Sequence, residues 1–140
     1  MDHFELTPQE KVAIKRLGVE ALILFGSRVM GNDRAGSDYD FGVLFRNSKD
    51  ALGVECRREI YDSLYELLSS KLKELVNIDI VFLERAPAEL QMHVVKRGMA
   101  LFERDPFAFA RFKERVMLLY ADFAPLRESF HSAILSRISA

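Results

Sequence analysis

The sequence lacks the features that mark disulfide-rich, zinc-binding and membrane-spanning proteins. It contains one cysteine, Cys56, so no intramolecular disulfide can form, and no histidine or second cysteine lies at zinc-ligand spacing from it. The uncharged hydrophobic run at residues 21 to 25, like every other in the sequence, is far short of the roughly 20 residues that cross a bilayer. Because the N-terminus has no basic segment followed by an apolar one, we expect no signal peptide and a cytoplasmic protein.

The sequence also lacks a strong charge of either sign. Its net charge is -1, with 49% hydrophobic and 29% charged residues, a balance typical of globular proteins and not of disordered ones. Proteins that mainly bind nucleic acid usually carry a basic surface, so we do not expect that function here. A length of 140 residues, with no repeat or linker, predicts one domain over residues 1–140.

Helix-start signals and apolar spacing divide the chain into alternating helices and strands. Thr7, Pro8 and Glu10 form a capping-box pattern with proline at the first helical position. Leucines at three- and four-residue spacing predict a long amphipathic helix further on. The order is a helix from Pro8 to Gly18, strands 19–25 and 39–45, helix 53–75, strand 77–82, helix 87–96, edge strand 98–102, helix 106–123 and a helix after Pro125. This order predicts an α/β or α+β fold.

The most informative segment is Gly26-Ser27, followed after ten residues by Asp38-Tyr39-Asp40. Glycine lets a backbone approach a phosphate closely, and serine adds hydroxyl and amide donors. Residues two apart on a strand point to the same face, so both aspartates can share hard cations such as Mg²⁺. Tyr39 is then expected to point to the opposite face and pack.

Asp79 is the candidate for a third carboxylate. It interrupts an otherwise apolar predicted strand, and a buried carboxylate usually needs a cation partner. A two-ion site, with cations about 3.5–4 Å apart, stabilises both the attacking and the leaving oxygen in phosphoryl chemistry. A lone aspartate in a strand also occurs at sheet edges and in salt bridges, but the upstream motif favours metal binding.

Other residues carry weaker signals. His93 has no partner at metal-ligand spacing, and we interpret it as a packed or surface histidine. The aromatic-rich helix that follows Pro106 presents more apolar surface than one stripe needs, and core packing is the favoured interpretation over a partner-binding face. Its apolar residues are Phe107, Phe109, Phe112, Leu119, Tyr120 and Phe123. Its basic residues, Arg111, Lys113 and Arg115, are expected to be solvated.

The Gly26-to-Asp40 pattern with a later aspartate resembles the minimal nucleotidyltransferases of the polymerase beta superfamily. The length, and the segments at 102–105 and 120–125, resemble MntA-type antitoxins, which are encoded with HEPN-domain toxins. This resemblance implies a mixed sheet flanked by helices, with a helical C-terminus, and transfer of AMP from ATP to a hydroxyl, with a tyrosine of a cognate HEPN toxin as acceptor. It also implies an oligomer with that partner.

The resemblance assigns roles to individual residues. Asp38 and Asp40 would bind two Mg²⁺ ions, and Asp79 would complete the site and orient or deprotonate the hydroxyl. Gly26 and Ser27 would bind the β- and γ-phosphates of ATP, and Ser37 would support the loop or touch phosphate. Family members often carry a basic residue where Met30 stands, so one contact to the triphosphate is either missing here or supplied by Arg28 or Arg34.

Two other functions stay open at this point. The chain could be a binding antitoxin that covers its toxin without catalysis, although the intact aspartate trio argues against lost activity. It could also modify a small molecule such as an antibiotic, as a dimer whose second subunit closes the pocket. We favour a protein acceptor because 140 residues leave no room for the additional helical domain that usually completes a small-molecule pocket.

Overall fold

The computed structural model describes residues 4–26, 38–45, 54–72 and 77–121, and its elements follow the predicted order. A 3-10 turn, Leu83–Arg85, joins the third strand to the third helix, and the helix predicted after Pro125 lies outside the described residues. The elements are α1 (Pro8–Arg16), β1 (Val19–Phe25), β2 (Tyr39–Phe45), α2 (Val54–Lys71), β3 (Ile78–Phe82), α3 (Ala88–Arg97) and β4 (Met99–Glu103), followed by α4, which is helical over 108–121.

The start of α1 confirms the predicted cap. The Thr7 hydroxyl accepts a hydrogen bond from the Glu10 amide at 3.2 Å, and the Thr7 amide donates to the Glu10 carboxylate at 2.7 Å. Each bond satisfies a backbone amide group that the first turn of a helix leaves without an intrahelical partner. The helix ends before Gly18, whose φ of 85° is left-handed, a conformation that glycine adopts without steric cost.

The end of α2 differs from the prediction. The leucine spacing predicts a helix to residue 75, but α2 ends at Lys71. In its last turn the Ser69 hydroxyl donates to the Glu66 carbonyl at 3.2 Å, and the Ser70 hydroxyl donates to the Leu67 carbonyl at 2.8 Å. Such side-chain bonds compete with the helical backbone pattern and are weakly unfavourable inside helices.

The four described strands form one mixed sheet in the order β3-β2-β1-β4. β1 runs antiparallel to both β2 and β4, while β2 and β3 are parallel. A parallel pair needs a long crossover between its strands, and α2 lies in the segment that connects β2 to β3. The predicted mixed sheet flanked by helices is therefore confirmed, and β4 is an edge strand as expected.

Both faces of the sheet are covered, which explains why every residue of β1 except Glu20 is apolar. The first core cluster joins one face to α1 and α2, with buried residues Leu6, Ile14, Val19, Leu22, Leu24, Phe41, Val43, Phe45, Ile60, Leu64, Leu68, Ile78, Ile80 and Phe102. The second core cluster joins the other face to α3 and α4, with buried residues Ala21, Ile23, Phe25, Leu44, Leu83, Val94, Val95, Ala108, Phe109, Phe112 and Val116.

The aromatic-rich helix is only partly a core helix. Phe109 and Phe112 are buried in the second core cluster, as predicted, but Phe107 and Leu119 are 65% and 50% exposed. The expectation of core packing is wrong for Phe107, which lies in the turn before α4, and for Leu119, because α4 turns one face to the sheet and leaves the other uncovered among the described residues. Within those residues, no helix is both long and apolar enough to span a membrane.

Candidate active site at the ends of three strands

The sheet register brings together residues that are far apart in the sequence. Phe25, the last residue of β1, lies opposite Asp40 in the antiparallel β1–β2 pair. Asp40 lies opposite Asp79 in the parallel β2–β3 pair. The C-terminal end of β1, with Gly26 directly after it, therefore lies beside the N-terminal ends of β2 and β3. Asp38 directly precedes β2 at this same end of the sheet.

The aspartates lie on the face of the sheet that α3 covers. In β2, Tyr39, Phe41 and Val43 contribute to the first core cluster, whereas Leu44 belongs to the second. Side chains alternate along a strand, so Asp40 points toward the second cluster. Asp79, between Ile78 and Ile80 of the first cluster, points the same way.

The opposite face at this edge is aromatic. Tyr39 stacks on Phe41 with ring centroids 6.0 Å apart, and Phe4 lies 5.5 Å from Phe41 and 6.0 Å from Tyr39. This confirms that Tyr39 packs away from the two aspartates. Aromatic rings supply a large apolar contact area. The packing of these three rings therefore holds the start of β2 in place on the face opposite Asp40, and it thereby determines the direction in which Asp40 points.

Gly26 is required by its backbone and by its neighbour. Its φ is 85°, in the left-handed region that disfavours other residues. A Cβ at this position would overlap Asp40 Oδ2 and lie 3.2 Å from Asp40 Cγ. The sequence linked this glycine to phosphate, and that role stays a prediction. In the structure its missing side chain makes room for the Asp40 carboxylate.

The electrostatics of the site centre on Asp40. Partial burial raises the pKa of its carboxyl, and the nearby Asp79 and Asp38 raise it further, while His93 acts in the opposite direction. Like charges and loss of water both disfavour the ionised form. Among the described residues, no lysine or arginine forms an ion pair with these three aspartates, so their charges are not balanced by that part of the chain.

Asp79 is not the buried carboxylate that its apolar neighbours in the sequence indicate. The sequence suggested a buried carboxylate that requires a cation, but Asp79 is exposed and β3 is the outer strand of the described sheet. A strand at a sheet edge gives its polar side chains access to water, which the apolar neighbours of Asp79 do not reveal. Asp40 is an aspartate whose partial burial disfavours the charged form.

The carboxylates suit Mg²⁺ in type, but they do not form a closed cage. Within the described residues, no group of three or more acidic, histidine or cysteine side chains is arranged to hold a metal ion. Mg²⁺ usually binds through one or two carboxylates together with substrate phosphates and water. An open pair of aspartates at a strand end fits that mode of binding.

The remaining predicted site residues cannot be placed. Ser27, Arg28 and Ser37 lie outside the described residues, as do Met30 and Arg34. The predicted phosphate cradle is therefore described only at Gly26.

His93 is a residue at the site that the sequence did not indicate. It is exposed on α3, its ring lies 6.3 Å from the Phe25 ring in an edge-on arrangement, and its charge acts on Asp40. The sequence interpretation of a packed or surface histidine is correct for its burial but misses its location. No local spacing links His93 to the aspartates, since the link depends on which face of the sheet α3 covers.

The chain matches a known protein family over most of its length. The family described as Polymerase beta, Nucleotidyltransferase matches residues 10–107, more than half of the chain. The chain is also 32% identical over 107 residues to the protein adenylyltransferase MntA of Aphanizomenon flos-aquae (strain 2012/KM1/D3). That alignment covers 71% of this chain and 67% of the relative.

Solved structures of toxin–antitoxin pairs have a similar fold. One, a toxin–antitoxin with AMP-PNP, matches with a TM-score of 0.66 and 22% identity over 92% of this chain and 99% of the matched chain. Another, a tri-AMPylated Shewanella oneidensis HEPN toxin in complex with an MNT antitoxin, matches with a TM-score of 0.59 and 21% identity over 89% and 95%. Likenesses at this identity establish the fold.

Proposed function

The chain belongs to the polymerase beta nucleotidyltransferase family, and from that premise we propose that it is a protein adenylyltransferase that acts as an antitoxin. It transfers AMP from ATP to a hydroxyl of a partner protein, a HEPN-domain toxin, with a tyrosine as acceptor. Support comes from the relative named protein adenylyltransferase and from the fold neighbour that contains an AMPylated HEPN toxin. The cytoplasmic location and the single domain over residues 1–140 are parts of the same proposal.

The observation that carries the proposal is that Gly26, Asp40 and Asp79 lie close together at the end of the sheet where β1 ends and β2 and β3 begin. Their neighbourhood is set by strand register, and a shift of one residue in that register would move every side chain of a strand to the other face. Gly26 adopts the left-handed conformation without steric cost and leaves room for the partly buried Asp40 carboxylate. A carboxylate that is held partly buried beside two like charges is unfavourable on its own, and such groups are concentrated at functional sites.

The roles proposed for individual residues follow from this placement. Asp38 and Asp40 hold Mg²⁺, Gly26 and Ser27 bind the phosphates of ATP, and Arg28 and Ser37 add phosphate contacts. Two bound Mg²⁺ ions would neutralise phosphate charge and stabilise the entering and leaving oxygens. The open arrangement of the carboxylates fits this, because ATP itself would complete the coordination.

The chemistry is a displacement at phosphorus. The acceptor oxygen forms a bond to the α-phosphorus of ATP, while the bond from that phosphorus to the bridging oxygen breaks and pyrophosphate leaves. Asp79 accepts the proton of the acceptor hydroxyl, which its exposed position on the edge strand permits. Catalysis then consists of positioning and charge neutralisation.

The proposal is tested by incubating the chain with the co-expressed partner, ATP and MgCl₂, and weighing the partner by intact-mass spectrometry. We expect the partner to gain the mass of one or more AMP groups, and the gain to require both ATP and Mg²⁺. A partner that keeps its mass under all conditions would contradict the proposal.

Two further outcomes would indicate a different function for the chain. Full neutralisation of the toxin by an Asp38→Asn, Asp40→Asn double variant, without any adduct, would indicate an antitoxin that acts by binding. An adenylylated antibiotic formed without a partner protein would indicate a small-molecule enzyme.

A further inference from the structure

His93 lies on the helix that covers the aspartate face of the sheet. α3 contributes Val94 and Val95 to the second core cluster, and Gln91 Nε2 donates a hydrogen bond to the Leu83 carbonyl at 2.7 Å. These contacts attach α3 to the sheet and to the turn that follows β3. The exposed imidazole of His93 is therefore carried by an anchored helix and not by a loop.

The course of α3 brings its C-terminal half to the site. It starts beyond Phe82, which lies opposite Val43, at the far end of β2 from Asp40. It ends at Gly98, where a Cβ would come within 2.7 Å of Ile23, and Met99 then pairs with Leu24 near the end of β1. The helix thus runs toward the strand ends that carry the aspartates.

A ring contact with Phe25 and an effect on the pKa of Asp40 place the His93 ring at the end of the sheet that carries the aspartates. Phe25, which is buried, lies edge-on to the imidazole at 6.3 Å between centroids, and Phe25 is the register partner of Asp40. His93 also interacts electrostatically with Asp40 itself. The ring therefore lies against Phe25, at the end of the sheet where Asp40 lies, and the residue is exposed.

The imidazole itself favours an anionic ligand, which here is the triphosphate that the proposed function brings to the aspartates. An imidazole offers ring N–H donors, and a donor bonded to a charged phosphate contributes more than one bonded to a neutral group. We propose that His93 is a nucleotide-binding residue whose imidazole donates a hydrogen bond to the triphosphate. This inference rests on the proposed function, because it takes ATP as the ligand of the site.

The test measures nucleotide binding without any acceptor. The dissociation constant of the non-hydrolysable α,β-methylene analogue of ATP is determined by calorimetry in MgCl₂ for the full chain and three variants. His93→Ala removes the ring, and His93→Phe keeps a ring against Phe25 but removes the N–H donors. Glu89→Ala is the matched control, since Glu89 is exposed in the first turn of the same helix, away from the aspartates.

We expect both His93 variants to bind the analogue about tenfold more weakly than the unchanged chain, and Glu89→Ala to bind as the unchanged chain does. Because His93 is exposed, all three variants should melt within a few degrees of the unchanged chain. With the partner present, the KM for ATP should rise more than the KM for the partner.

The outcomes separate this inference from the proposed function. An unchanged chain that does not bind the analogue contradicts both. If the unchanged chain binds it and both His93 variants bind equally well, the inference alone is wrong. Retained affinity in His93→Phe with loss in His93→Ala would also overturn it, since the ring would then act only by packing against Phe25.

Discussion

The two faces of the sheet differ in what covers them at the edge where β1 ends. On the face of the first core cluster, apolar cover continues to this edge, where Phe4, Tyr39 and Phe41 pack together. On the other face the apolar cover stops at Phe25, and Asp40 and Asp79 lie beyond it. Successive residues of a strand point to opposite faces. Tyr39 and Phe41 therefore contribute to stability, while Asp40 between them is available for chemistry.

This comparison predicts that the two faces respond differently to substitution. A change on the first face should alter the free energy of unfolding and leave the folded molecules active. A change among the aspartates should remove activity and leave the free energy of unfolding nearly unchanged, because a partly exposed carboxylate surrounded by like charges contributes little to stability.

The largest effect is expected from the Asp38→Asn, Asp40→Asn double variant. AMP transfer to the partner should fall by at least about 10³-fold, as expected when the charges that position a phosphoryl group are lost. The melting temperature should not fall. Asp62→Asn, an exposed carboxylate on α2, is the matched control and should transfer AMP normally. An active double variant would mean that the chemistry lies elsewhere.

The next effect concerns the first face. Leu64 on α2 is fully buried in the first core cluster, and Leu64→Ala should lower the free energy of unfolding by about 2–5 kcal/mol, measured by urea denaturation. Glu66→Ala, an exposed change on the same helix, should be nearly neutral. Per folded molecule, Leu64→Ala should keep its AMP-transfer rate, and a loss of that rate would break the distinction between the faces.

Gly26→Ala should affect both properties. A left-handed alanine costs about 1–2 kcal/mol, and the added Cβ would displace the Asp40 carboxylate, so activity should fall as well. Gly18 offers a matched control, because it has the same φ of 85° with nothing within 4 Å of an added Cβ. Gly18→Ala should show the backbone cost alone, and equal activity in the two variants would contradict the role of Gly26 beside Asp40.

The smallest effect is a pH dependence at Asp40. Its carboxyl pKa is raised above the ordinary 3.8, so ionisation disfavours the folded state and protonation relieves that cost. In metal-free buffer, Asp40→Asn should therefore be more stable than the unchanged chain at pH 7, by less than about 1 kcal/mol because the group is partly exposed. The difference should close as the pH falls toward 3.8, and a difference that grows instead would contradict the raised pKa.

Much of the fold could be predicted from the sequence because its signals are local. The Thr7–Glu10 capping box and the apolar run of β1 are features of a few consecutive residues. The alternation around Tyr39 correctly predicts which side chains pack and which face the site. The sequence predicts the end of α2 too late, at residue 75 and not at Lys71. The leucine spacing continues past the point where the Ser69 and Ser70 hydroxyls donate to backbone carbonyls.

The site was only partly predictable, because its assembly depends on tertiary structure. The spacing from Gly26 to Asp40 indicates phosphate chemistry, but that Gly26 makes room for the Asp40 carboxylate follows from strand register. The exposure of Asp79 follows from the edge position of β3, and the location of His93 follows from the path of α3. None of these three features can be predicted from the residues that lie next to Gly26, Asp79 or His93 in the sequence.

The central claim is that β2 and β3 together supply the carboxylates of one AMP-transfer site. The most direct test compares the time course of AMP incorporation into the partner for the unchanged chain and for Asp79→Asn. We predict a rate at least about 10²-fold lower for the variant, with an unchanged free energy of unfolding. An Asp79→Asn variant that transfers AMP at the rate of the unchanged chain would contradict the claim.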